Sequence, residues 1–263
     1  MTAPILEVSN YSYAIGRKEI LRRVSFEVGG GEFFSVIGPN GSGKTTLLRS
    51  LNRLLPKGSG SILLEGAPVE RLSRRALARV MSYVPQAVGE VPPFTVREFV
   101  LMGRYPHLSP FSSPGREDRR AVERALALTG TAVFAERLVP TLSGGERQGV
   151  YIAAALAQGA RVLLLDEPTT FLDPRHASEI RKVLLGLNRE SGLTILSVTH
   201  DVNSAALLSH RVLALREGGV VFCGGPRALM TPETLAGIYG KEFLFVDHPE
   251  TGQRVVVPEG VAA

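Results

Sequence analysis

EFFSVIGPNGSGKTT, residues 32–46, runs from an apolar segment into a glycine-rich loop and on into a helical pattern. Glu32 to Ile37 is short, apolar and bounded by glycine, which predicts a buried strand. GPNGSGKT, Gly38 to Thr45, then satisfies the phosphate-loop pattern in its required strand–loop–helix setting. The glycines allow backbone amides to turn toward phosphate. Lys44 is expected to reach the β and γ phosphates, and the Thr45 hydroxyl to ligate Mg²⁺. The expected nucleotide contacts are Gly38, Pro39, Asn40, Gly41, Ser42, Gly43, Lys44, Thr45 and Thr46. A glycine-rich turn that binds nothing is the alternative, and the full pattern in context argues against it.

Outward from this loop, strand and helix patterns alternate. ILEVSNYSYA and ILRRVSFEV read as strands before it, and TTLLRSLNRLL as a helix after it. SILLEG predicts another strand and RLSRRALARV a basic amphipathic helix. From about Ala87 to Leu138 strand patterns vanish, and prolines cluster at Pro92, Pro93, Pro106, Pro110 and Pro114. Helical periodicity appears there in VREFVLMG and DRRAVERALALTG, which predicts a helical insert. RVLLLDE, TILSVTH and RVLALREGGVVFC restore strand patterns, with EIRKVLLGLNRESG as an intervening helix. The expected fold is α/β with a mostly parallel sheet. The expected division is a core over 1–86 and 159–240, a helical subdomain over 87–158 and an accessory tail over 241–263.

Composition narrows the class without naming a partner. The 263 residues are 44% hydrophobic and 21% charged, ordinary for a soluble globular chain, with a formal charge of +5 that favours anionic partners. The single cysteine, Cys223, permits no internal disulfide and agrees with a reducing compartment. MTAPILEVSN lacks the basic start and apolar core of a signal peptide. No apolar stretch approaches the ~20 residues needed to span a bilayer, so a membrane process would need another chain for the span.

Further residues carry chemistry. RVLLLDEP ends an apolar strand in two acids: Asp166 is placed to hold the metal, and Glu167 to act as general base for water beyond the γ-phosphate. Such acid pairs are common alone; beside a phosphate loop the catalytic reading gains weight. His200 ends the TILSVTH strand. It is either a core or loop histidine or a γ-phosphate contact, since ligands of open α/β sheets bind outside the strands' carboxyl ends. Gln86 in SYVPQ stands where the helical insert begins, a hinge position beside Mg²⁺. The remaining histidines, His107, His176, His210 and His248, have no zinc-ligand spacing. LSGGERQGVYIAAALA, Leu142 to Ala157, reads as a helix with a Ser143–Glu146 capping box and two glycines in its first turn. Its amides attract anions, yet no lysine stands nearby.

Taken in order, GPNGSGKT, YVPQ, LSGGERQ, LLLDEP, FLDP and VTHD resemble the ATP-binding subunits of ABC transporters, from about Leu6 to Gly240. The resemblance implies a P-loop NTPase (RecA-like) core with an N-terminal antiparallel β-subdomain, hydrolysing ATP with Mg²⁺. Thr45, Gln86 and Asp166 would hold the metal, and Lys44, Gln86, Glu167 and His200 would serve catalysis. It also implies a head-to-tail dimer in which Leu142, Ser143, Gly144, Gly145 and Glu146 of one copy close over ATP held by the other. Asp173 would lie at the dimer seam. This chain is then expected at the cytoplasmic face of the membrane, with permease subunits, and through them a substrate-binding protein, as further partners. Nucleic acid is not expected, although Arg71, Arg74, Arg75 and Arg79 form the best candidate patch. Tyr13 is the expected adenine platform rather than Ile15, because SYAIGRKEIL resembles importers of iron chelates and cobalamin. VLMGRYPHLSPF and the end GGPRALMTPETLAGIYG resemble the iron–siderophore, haem and cobalamin importers, and RYPHLSPF is expected to dock a membrane subunit. Three residues depart from the family: Gly149 and Ala154 where arginines are usual, and Phe171 where a small residue is usual.

Overall fold

A computed structural model describes residues 3–86, 93–109, 112–249 and 252–257. Pro92, Pro110, the first residues of the expected helical insert and part of the expected tail lie outside the described residues.

β1 (Leu6–Ile15) and β2 (Lys18–Val28) pair antiparallel, and their alternation buries Leu6, Val8 and Tyr11 against Leu21, Val24 and Val28. β3 (Phe33–Ile37) is buried at all five positions, as its unbroken apolar run requires. α1 (Lys44–Leu51) ends earlier than TTLLRSLNRLL suggested, because Arg53 turns left-handed at φ 52°. β4 (Ser59–Leu64) and β5 (Ala67–Pro68) complete a four-stranded sheet in the order β2-β1-β4-β5. α2 (Arg74–Val80) starts on the Ser73 side chain, which accepts from the Ala76 amide, and β6 (Met81–Val84) follows it directly. α3 (Val96–Met102), α4 (Arg116–Leu128) and α5 (Gly144–Ala157) come next, then β7 (Val162–Asp166), α6 (Pro174–Ser191) and β8 (Thr194–Val198). α7 (Val202–Leu208) leads to β9 (Arg211–Arg216) and β10 (Gly219–Gly224). RVLALREGGVVFC is therefore not one strand but a hairpin, reversed at Glu217 and Gly218 with φ 50° and 81°. α8 (Pro226–Leu229), α9 (Pro232–Tyr239) and a hairpin of β11 (Leu244–Asp247) with β12 (Arg254–Val257) end the chain's described part. The six-stranded sheet has the order β10-β9-β3-β8-β7-β6.

The chain divides into two compact units, residues 1–68 with 196–263 and residues 69–195. In the first, β3 runs parallel to β9, pairing Phe34 with Arg211 through Ile37 with Ala214. Ile37, Val202, Ala205, Val212, Leu229 and Leu235 form a core there, with Phe245 and Val256 of the tail hairpin packed against it. Asn203 fixes that hairpin twice: its amide nitrogen donates to Val256 O at 2.9 Å, and its amide oxygen accepts from Val256 N at 2.8 Å. In the second unit, β6 runs parallel to β7, and α3, α4 and α5 share a core that includes Val96, Val100, Val122, Leu126, Val150 and Ala153.

Candidate nucleotide-binding and hydrolysis site

In the first unit the loop after β3 is built from backbone that side chains would spoil. Gly38 has φ 140°, and a Cβ there would stand 2.0 Å from Leu215 O and 3.0 Å from Ser42 Oγ. Glycine is thus required both by conformation and by space. Gly43, the residue before α1, is also left-handed at φ 100°. Lys44 is 6% exposed, and its Nζ donates to Gly38 O and Pro39 O, each at 2.9 Å. Ser42 Oγ is buried without a hydrogen-bond partner among the described residues. A buried hydroxyl in that state costs free energy until something supplies a partner, and a phosphate oxygen is such a partner. Thr45 and Thr46 are partly exposed at the start of α1, Asn40 is exposed and Pro39 partly so.

Two other parts of this unit border the loop. The Thr199 amide donates to Val36 O at 3.1 Å, so the exposed His200 emerges two residues from the point where β3 becomes the loop. Tyr239, which the sequence gave no reason to single out, lies on α9 beside Gly38. Burial pushes its phenol up to about 12; the Gly38 backbone opposes that push and the Asp201 carboxylate adds to it. Tyr13 pairs with Leu21 across β1 and β2 and is partly buried, whereas Ile15 is 61% exposed. A Cβ on Gly43 would meet Leu21 Cδ2 at 2.7 Å, so this hairpin packs on the loop.

In the second unit β7 delivers the acids. Asp166 is buried, and its Oδ2 accepts from the Tyr83 hydroxyl at 3.2 Å. Glu167 adopts φ 50°, a left-handed conformation that is uncommon outside glycine and asparagine. This turn aims its carboxylate away from the strand, where Oε2 accepts from Thr170 Oγ1 at 2.7 Å and from Gln86 Nε2 at 3.4 Å. Gln86 and Glu167 are therefore brought together although 81 residues apart. Phe171 is also left-handed, at φ 65°, and 83% exposed.

The same unit carries the turn that opens α5. Ser143 Oγ accepts from the Glu146 amide at 3.3 Å, and Glu146 Oε2 accepts from the Ser143 amide at 2.8 Å, a complete capping box. The Ser143 amide holds the Glu146 carboxyl below the usual carboxylate range. Leu142 is buried in the helical core, while Ser143 and Gly144 are exposed. Asp173 caps α6, its Oδ1 accepting from the amides of Arg175 at 3.0 Å and His176 at 3.1 Å. Its Oδ2 lies 2.5 Å from His176 Nδ1, and that contact, first among the causes, lowers the Asp173 carboxyl. The sequence motifs passed over His176 because no second ligand stood at metal spacing.

The ABC transporter family matches residues 21–170, a span that takes in the phosphate loop, the acid pair and the turn that opens α5. The chain belongs to that family, as an ATP-binding domain. Among its relatives is the ferric enterobactin transport ATP-binding protein FepC of Escherichia coli (strain K12), 40% identical over 94% of this chain and 92% of that one. The iron(3+)-hydroxamate import ATP-binding protein FhuC of Bacillus subtilis (strain 168) is 40% identical over 95% of this chain and 93% of its own. The solved ATP-binding cassette MJ0796, a dimer in a post-hydrolysis state bound to ADP and Pi, is 29% identical. It superposes with a TM-score of 0.73 over 84% of this chain and 99% of its own.

In this ABC ATP-binding domain three arginines hold the stretch after α3, of which the motifs gave no sign of Arg104. Arg104 is 7% exposed; its Nε donates to Asp118 Oδ1 at 2.9 Å and its Nη1 to Ala157 O at 2.8 Å. Arg75 lies over the Tyr105 ring at 5.1 Å, and Arg79 Nε donates to Pro106 O at 3.0 Å. Two members of the basic patch on α2 thus serve the RYPH turn. Beside it, Tyr83, Val84, Phe99, Tyr151 and Ala154 help line a largely apolar groove of about 320 Å³. An arginine at 154 would project into that groove. Gly149 has its own reason: a Cβ would stand 3.0 Å from Thr131 Cγ2, so α5 packs closely there.

Proposed function

We propose that this ABC ATP-hydrolysing subunit powers import of a ferric chelate or a cobalamin across a membrane. The observation that carries the reading is identity of 40% with FepC and FhuC over nearly the whole chain, a span longer than residues 21–170. Among the described residues no helix is long and apolar enough to cross a membrane. A permease supplies the span, and this chain works against it at the cytoplasmic face, with a substrate-binding protein delivering the chelate on the other side. The groove beside Phe99 and Tyr151, with the RYPH turn next to it, suits an apolar helix of that permease.

The Gly38–Thr46 loop binds the triphosphate: Lys44 leaves its carbonyl partners for the β and γ oxygens, and Ser42 gains the partner it lacks. The oxygens of Thr45, Gln86 and Asp166 suit a hard cation, and Mg²⁺ held there would offset charge on the β and γ phosphates. Glu167 accepts the proton of a water that attacks the γ phosphorus as the bond to ADP breaks, with Thr170 and Gln86 keeping its carboxylate in place. His200 orients that water. Two copies pack head to tail, so that Leu142–Glu146 of one, and the amides that open its α5, close over the triphosphate of the other, with Asp173 at the seam. The insert expected over 87–158 passes the opening and closing to the permease, with Gln86 as hinge.

Glu167→Gln tests the chemistry. Single-turnover hydrolysis should fall by about a hundredfold or more while ATP affinity holds, and ATP should leave a stable dimer on size exclusion. Rapid hydrolysis by this variant would remove Glu167 from the role of base. For the cargo, uptake of ⁵⁵Fe-hydroxamate or labelled cobalamin by vesicles holding the cognate permease should require this subunit and ATP. Uptake of neither would overturn the import reading.

A further inference from the structure

The turn that opens α5 has no lysine, and a histidine from α6 stands against it at Gly145. A Cβ on Gly145 would stand 2.5 Å from His176 Cγ and 2.6 Å from its Cδ2, so the imidazole occupies the space that any side chain at 145 would need. Nδ1 of the same ring meets Asp173 Oδ2 at 2.5 Å, while Asp173 Oδ1 is engaged by the amides of Arg175 and His176. Both oxygens of Asp173 are therefore held, one by backbone and one by this ring. By contrast, a Cβ on Gly144 would meet nothing within 4 Å. One flat side chain touches two loops that are distant in sequence.

We propose that His176 is a positioning residue that locks the Asp173 loop to the Ser143–Glu146 turn of the same chain. The inference rests on the reading that two copies share each triphosphate. Both loops then present themselves to the facing copy at a fixed spacing, and neither has to be ordered separately when the dimer closes. A ring suits this task better than a flexible chain, since it loses little rotamer freedom when held. The requirement for glycine at 145 follows from the ring as well as from any close approach by phosphate.

The test uses the full chain in the Glu167→Gln background, where ATP-driven dimerisation can be read by analytical ultracentrifugation. His176→Ala should raise the ATP concentration for half-dimerisation by about tenfold, the loss expected for one hydrogen bond to a charged group. Affinity of the monomer for a fluorescent ATP analogue should change by less than about twofold, because His176 is remote in sequence from the Gly38–Thr46 loop it does not serve. His176→Asn can place an amide N–H where Nδ1 stands, and it should recover most of the loss. In the otherwise native chain, His176→Ala should lower kcat with little change in KM. Dimerisation by His176→Ala at the same ATP concentration as its parent would overturn the proposal. So would an Asn variant that melts like its parent yet dimerises no better than Ala. If the Glu167→Gln parent itself stays monomeric, the facing-copy reading fails first and this inference falls with it.

Discussion

The Gly38–Thr46 loop and the Ser143–Glu146 turn both offer backbone amides at a helix start, and they are built on opposite terms. The first is enclosed: Gly38 is pressed against Leu215, Lys44 is buried, and no side chain caps α1. The second is open: Ser143 and Gly144 are exposed, and a reciprocal capping box engages the amides of Ser143 and Glu146 from within. In the enclosed loop the Lys44 ammonium is taken up by the Gly38 and Pro39 carbonyls, and the Ser42 amide by Pro39 O. The open turn engages two of its amides, those of Ser143 and Glu146, with its own side chains. The difference accords with the proposal that the Gly38–Thr46 loop holds the nucleotide of its own copy, while the turn that opens α5 serves the nucleotide of a facing copy.

The comparison breaks most visibly at glycine. Gly38→Ala should destabilise the chain by about 3 kcal/mol in urea unfolding and abolish nucleotide binding, since the new Cβ meets backbone. Gly144→Ala, the same exchange at the open turn, should stabilise by up to about 0.5 kcal/mol through helix propensity. Equal effects at both sites would erase the distinction. The Arg104–Asp118 pair sharpens it on the stability side. The Gly115 amide first, and Arg104 second, hold the Asp118 carboxyl below its ordinary value. A carboxylate lowered on folding contributes stability above its unfolded pKa, about 4, and loses it as pH falls through the folded value. Asp118→Asn should therefore cost about 2 kcal/mol at pH 7 and flatten the fall in stability between pH 5 and pH 3. A parallel pH curve for the two proteins would exclude this pair as the source. The smallest effect concerns the base. Tyr13→Ala should weaken ATP binding about tenfold through lost stacking, and Ile15→Ala about twofold at most. The reverse order in a fluorescence titration would move the platform to Ile15, which is the more exposed of the two.

Much of this was legible before any coordinates, where the chemistry is local. Gly38–Thr45 announces its loop by residue type and spacing, Ser143 and Glu146 announce their capping box, and the unbroken apolar run before Asp166 announces a buried strand. The helix after Lys44 and the RVLALREGGVVFC hairpin were misjudged because a left-handed Arg53 and a left-handed Glu217 are rare and carry no compositional sign. His176, Arg104 and Tyr239 were invisible for a different reason. Each meets a residue far along the chain, at Gly145, Ala157 and Gly38 respectively, and no periodicity encodes such meetings. Gly149 and Ala154 looked like losses from α5, where the family usually has arginines. One proves to be a close approach to Thr131, and the other to be the floor space of a groove.

The double grip of Asn203 on Val256 has a consequence for solubility. A two-stranded ribbon at the end of a chain leaves an outer rim of amides and carbonyls that invites stacking between molecules. One carboxamide, matching donor to acceptor and acceptor to donor, imitates a neighbouring strand for a single residue and blunts that rim at Val256. On the proposal that two copies meet head to tail, closing such a wrong orientation favours the productive one.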